Sequence, residues 1–139
     1  MNDTELAIRC AERMFSKDAA TQALGITVDI PAAGRAVGRM RVREDMVNGI
    51  DVCHGGLLFT LADTAFAFAC NAYDELTCAA SANIDFIRPA LLGDELTASA
   101  SEDYRGAKNG YYTVKVRNQR DELVAMFHGR SASRGESIL

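Results

Sequence analysis

From Thr4 to about Lys17, apolar Leu6, Ile8, Met14 and Phe15 mix with Glu5, Arg9, Glu12 and Arg13 at helical rather than alternating spacing, with Thr4 available as a cap. The pattern predicts a short amphipathic helix. It then switches period. Gly25 to Ile30 alternates, Pro31-Ala32-Ala33-Gly34 breaks the run, and Arg35 to Arg43 alternates again, which predicts a hairpin followed by a loop reaching about Cys53. Gly55 to Cys70, GGLLFTLADTAFAFAC, is the most apolar stretch and carries one charge, Asp63. A membrane span needs about 20 apolar residues, so this shorter run with polar flanks predicts a helix buried on nearly all sides. Four strand-like runs follow, at Thr77–Ile87, Asp94–Asp103, Gly110–Asn118 and Leu123–Arg130, separated by turn signals at Pro89, Gly93, Gly106, Asn109-Gly110 and Arg120-Asp121. The polar tail, Ser131 to Leu139, is expected to fray at its end.

Two strands, a long apolar helix and four more strands predict an α+β class, with an antiparallel sheet of about six strands wrapped around the helix. A chain of 139 residues fits one domain, 1–139, with no internal repeat. One sheet covers one side of such a helix well, so a second subunit is the expected source of the remaining burial.

Composition removes several classes of function. The formal charge of -4 argues against general nucleic-acid binding, although a local basic rim can still hold a small polyanion. Cys10, Cys53, Cys70 and Cys78 stand apart with no CxxC pair, and His54 and His128 are the only histidines, so neither a disulfide framework nor a metal site is indicated. The acidic N-terminus, MNDTELAIRC, lacks the features of a secretory signal, which predicts a cytoplasmic protein that does not enter the membrane.

Asp63 is the conspicuous residue, because a lone carboxylate in an apolar helix is costly unless paired, hydrogen-bonded or open to a water-filled site. A buried ion pair would explain it structurally; its isolation favours function. Gly55 and Gly56 open the same helix and leave the first backbone N–H groups unobstructed at the positive end of the helix dipole, where a carbonyl oxygen could lie. Asp63 follows Gly55 by eight residues, about 12 Å along the axis, too far for both to serve one carbonyl within one chain. Two copies of the helix packed antiparallel across a two-fold axis would set Asp63 of one chain against Gly55 of the other, giving two shared sites per dimer. His54 and Asn48 precede the helix, and either could hold substrate or water, or simply fix the loop. Cys53 beside His54 invites a thiol mechanism, but consecutive side chains seldom converge on one point.

Asn48, His54-Gly55-Gly56, Leu61-Ala62-Asp63 and the later strand Asn83-Ile84-Asp85-Phe86-Ile87-Arg88-Pro89-Ala90 together resemble the hotdog-fold thioesterases of the PaaI type, which act in phenylacetate degradation. The resemblance spans about Leu24 to Arg130. It implies a hotdog fold, a subunit pair and commonly a tetramer, and hydrolysis of an aryl- or acyl-CoA thioester. It implies that Asp63 is general base or nucleophile, with a lean to base, that the Gly55 N–H polarises the carbonyl, and that His54 and Asn48 position substrate or water. Coenzyme A is then part of the substrate and no cofactor is needed. Candidates for touching the substrate or its phosphates are Gly56, Thr64, Arg88, Arg105, Lys108 and Asn109; Tyr73 could border an acyl pocket, and His128 reads as structural. The alternatives are a non-catalytic acyl-CoA sensor and a hotdog dehydratase or hydratase.

Overall fold

The computed structural model describes all 139 residues. Helix α1 spans Asp3–Phe15 and begins on Asn2, not Thr4: the Asn2 Oδ1 accepts from the Glu5 N–H at 2.8 Å and the Glu5 carboxylate returns to the Asn2 N–H. Asparagine caps better than threonine, and an acid three residues later completes the reciprocal pair; Thr4 would face Ala7, which has nothing to return. A second helix, α2 (Ala19–Ala23), is too short to show a period and is capped by Asp18, which accepts from both the N–H and the hydroxyl of Thr21.

Strands β1 (Thr27–Ala32) and β2 (Arg35–Arg41) form the expected hairpin, but Pro31 lies inside β1 rather than ending it. A proline is tolerated there because β1 is a sheet edge, and the register slips between Asp29 and Ala32. Gly34 turns the chain at φ +78°, and a side chain there would strike the Tyr73 hydroxyl.

Helix α3 runs Gly55–Cys70, followed by β3 (Thr77–Phe86), β4 (Glu95–Arg105), β5 (Asn109–Arg117) and β6 (Leu123–Ser133). All six strands join one antiparallel sheet in the order β1-β2-β4-β5-β6-β3. The sheet curls around α3, which touches every strand. This is the hotdog arrangement expected above. No helix is long and apolar enough to cross a membrane.

Side-chain size sets how closely the helix lies on the sheet. Across the concave face, Ala36, Ala100, Val114 and Phe127 form one row, and Gly38, Ala98, Val116 and Ala125 the next. The small residues on β2 and β4 admit the helix: a Cβ on Gly38 would stand 3.4 Å from Leu61. On the other side the Phe66 ring meets Tyr112 and Phe127 edge-on or tilted, with centroids 5.5 and 5.6 Å away. One strip of α3 is left incompletely covered, formed by Gly56, Thr60, Asp63 and Ala67, residues spaced to share a helix face.

The C-terminal tail does not fray. β6 continues to Ser133, Arg134 and Glu136 bond Leu76 through the backbone, and the Asp74 carboxylate accepts from the N–H groups of Ile138 and Leu139. The acceptor lies more than sixty residues upstream, so no local pattern signals it.

Candidate active site

Helix α3 opens on a loop stitched at both ends. The Cys53 N–H donates to the Ala90 carbonyl and the His54 N–H to that of Met46, each at 2.8 Å. Within the loop the Asn48 Oδ1 accepts from the N–H groups of Ile50 and Val52 at 3.1 and 3.2 Å. The Asn48 side chain thus fixes the turn through its oxygen and keeps its amide NH₂ free to donate.

His54 is the N-cap of α3. Its Nδ1 accepts from the Gly56 N–H at 2.9 Å, so in this geometry the ring proton sits on Nε2. The Leu57 and Leu58 N–H groups turn back to the His54 carbonyl. Of the first four N–H groups of the helix, the Gly55 N–H alone has no acceptor in the chain. Gly55 lines a pocket of about 300 Å³ together with Asn48, Cys53, Leu58, Phe86 and Pro89 among others, with Arg88 also contributing. Neither His54 nor Asp63 lines it.

Asp63 is half-buried, has no hydrogen bond or ion pair within the chain, and burial alone pushes its pKa above the ordinary carboxylate range. Such a shift weakens the fold as the acid ionises. Between the unfolded value, about 3.9, and the higher folded value, the folded chain holds more protons than the unfolded one; stability falls as pH rises through that window and stays lower above it. Asp63→Asn is therefore expected to melt a few degrees above the parent near neutral pH and level with it at pH values well below about 3.9, where both states are protonated. Calorimetry across pH checks this. A variant that melts lower at neutral pH would show that the carboxylate has a stabilising partner.

The other expected residues fall into two groups and one exception. Arg88 joins Asn48 and Gly55 around the pocket and pairs with Glu122 at 3.2 Å. Arg105, Lys108 and Asn109 gather at the opposite end of α3, in a recess that also holds Cys70 and Thr77. There Arg105 stacks 3.8 Å over the Tyr73 ring and pairs with Glu75, while the Asn109 amide donates to the Ser131 carbonyl; Lys108 has no acidic partner. Tyr73 donates to Glu102 and lies away from the Gly55 pocket, so it does not border that pocket. Thr64 is the exception among the α3 residues: its side chain is buried and meets the Thr21 hydroxyl at 3.5 Å, on the α2 side of the helix and off the strip that carries Asp63. The Cys53 thiol is pushed up to about 11 by burial, which leaves little thiolate near neutral pH. Two residues at the site are not among the candidates named from the sequence. Thr60 shares the open strip with Asp63, and Phe86 lies directly against Gly55. Thr60 could have been found from helical spacing alone; Phe86 stands in the quoted strand motif, but nothing local sets that strand, more than thirty residues away, against Gly55.

Residues 51–125 match the thioesterase superfamily model. The acyl-coenzyme A thioesterase PaaI of Escherichia coli is 44% identical over 92% of this chain and 91% of its own length. The structure of the E. coli PaaI protein superposes with a TM-score of 0.96 at 41% identity, covering 98% of this chain and 99% of that one. A mutant structure of the phenylacetic acid degradation protein PaaI from Thermus thermophilus gives 0.79 at 36% identity, over 83% of this chain and 98% of that one. The chain belongs to the thioesterase superfamily, among its PaaI-type hotdog enzymes. It is an enzyme that hydrolyses acyl-CoA thioesters, and the sensor and dehydratase alternatives give way to that assignment.

Proposed function

We propose that the enzyme hydrolyses phenylacetyl-CoA or a ring-hydroxylated aryl-CoA to the free acid and CoA, at a site built from Gly55 of one chain and Asp63 of another. The observation that carries this reading is the pairing of one unengaged N–H with one unpartnered acid on the same helix, too far apart to meet within a chain. Strand β3 supports the assembly. It is ten residues long, lies at a sheet edge and has every residue half- or fully exposed. An edge of that length is a template for another strand. Pairing β3 with its own copy about a two-fold axis sets the α3 helices antiparallel. A register that opposes Gly55 to Asp63 centres the axis near Phe59 and brings the partner's Cys70 end, with its Arg105, Lys108 and Asn109 recess, beside the Asn48 loop. Lys108, which has no acidic partner, and the unengaged amide of Asn48 would then border the mouth of the pocket, where coenzyme A phosphates need donors. Two such pairs would form the tetramer that the resemblance implies, in the cytoplasm.

In this reading Asp63 takes a proton from water as the water oxygen attacks the thioester carbon. Its raised proton affinity suits a base. Negative charge gathers on the carbonyl oxygen, against the Gly55 N–H and the positive end of α3, a contact worth about 2.7–4 kcal/mol where such a donor has been removed. Collapse expels the CoA sulfur, which leaves with that proton. The Asn48 amide and the His54 Nε2–H are donors at the same helix end and hold substrate or water. Gly56 is occupied by His54, so its part is to form the cap. No cofactor takes part, coenzyme A being half of the substrate. The Phe86-lined pocket and the phenylacetic acid degradation relatives support an aromatic acyl group. A thiol-reporting assay over phenylacetyl-CoA, its ring-hydroxylated forms, benzoyl-CoA and straight-chain acyl-CoAs tests the substrate. Highest kcat/KM on the arylacetyl members is expected; preference for straight chains would contradict it.

A further inference from the structure

Gly55 does not need to be glycine for its backbone, since its φ is not in the left-handed region. What the missing side chain admits is the Phe86 ring. A Cβ at position 55 would stand 3.2, 3.3 and 3.7 Å from its Cζ, Cε1 and Cε2. The ring is also held at its base. Phe86 pairs with Ala125 at the end of β3, and the N–H groups of Ile87 and Arg88 both bond the Val124 carbonyl. Yet Phe86 is 55% exposed, while Phe66, Phe68 and Phe127 are at most 2% exposed. An anchored aromatic ring thus stands open to a pocket also lined by Leu58, Cys53, Pro89 and Gly55, the residue whose N–H is the one left unengaged at the helix start.

On the reading that the thioester carbonyl binds the Gly55 N–H, we infer that Phe86 is the specificity-determining residue for the acyl group, and that it selects an aromatic ring one carbon from the carbonyl. A carbonyl oxygen at hydrogen-bond distance from Gly55 puts its acyl carbon within a few ångströms of the Phe86 ring edge. A ring one methylene further reaches offset-stacking range, whereas a linear chain gains only apolar contact. Leucine at 86 keeps an apolar side chain in the pocket and removes the ring face; tyrosine keeps the face.

The test is steady-state kinetics of the parent, Phe86→Leu and Phe86→Tyr on phenylacetyl-CoA and butanoyl-CoA, with circular dichroism confirming that the variants fold. The ratio of kcat/KM for phenylacetyl-CoA over butanoyl-CoA is expected to fall about tenfold in Phe86→Leu, chiefly through KM for the aromatic substrate, and to stay near the parent ratio in Phe86→Tyr. A ratio unchanged in Phe86→Leu, or a fall arising in kcat alone, overturns the inference while leaving the shared Asp63 and Gly55 site standing. A parent enzyme that turns over butanoyl-CoA and not phenylacetyl-CoA overturns both this inference and the aryl substrate. A parent that turns over neither overturns the proposed site as well.

Discussion

Asp63→Ala is expected to lower kcat for acyl-CoA hydrolysis about a thousandfold, within the 10²- to 10⁴-fold range that a positioned general base contributes, and to leave the fold intact. The folding part follows from isolation: Asp63 has no hydrogen bond or ion pair in the chain, so its removal breaks no tie, and it relieves a charge that burial disfavours. The catalytic part follows from the same burial. A carboxylate with raised proton affinity is the stronger base, and it is active only where it is ionised. The acidic limb of the parent's kcat/KM profile should therefore lie above the ordinary aspartate value of about 3.9. Steady-state rates with a thiol reporter, read beside a melting curve, measure both parts. A loss below about tenfold in a folded variant would remove Asp63 from the chemistry.

How much of this is legible in the sequence depends on whether the cause is local. The bounds of α3, Gly55 and Cys70, can be read directly, because the glycines and the uninterrupted apolar run are contiguous. The four later strands can be read too, to within three residues at their ends. Helix α2 cannot, being a single capped turn and a half, and the tail's anchor on Asp74 cannot, being set by distant residues. The position of β3 at the sheet edge is also hidden, because a strand's pattern does not say which strand it will join.

The same division holds at the site. Asp63 is conspicuous in the sequence as a charge in an apolar run, and Gly55 as a helix start. That Gly55 keeps the one free N–H depends on His54 turning its Nδ1 to Gly56, a rotamer that no spacing specifies. The basic residues mislead when read alone. Arg88 and Arg105 look like free cations, but Glu122 and Glu75, some thirty residues away in the chain, already pair with them. Thr64 follows Asp63 in sequence yet faces the other way, since consecutive helical residues point about 100° apart.

The claim that the acid and the N–H come from different chains has its most direct test in mixed assemblies of two variants, each dead in one half. Asp63→Ala removes the acid. Gly55→Pro removes the N–H at the first helical position, where proline is favoured, and the preceding His54, at φ -57° and ψ 130°, already has the extended conformation that proline requires before it. The proline ring displaces the exposed Phe86 ring rather than backbone. Each variant alone should retain about a hundredth of the parent rate or less. A mixed pair contains one site with both defects and one with neither. After equal mixing and subunit exchange, followed by native mass spectrometry, activity should return to about a quarter of the parent's. No recovery, with exchange complete and the proline variant folded, would contradict a site built from two chains.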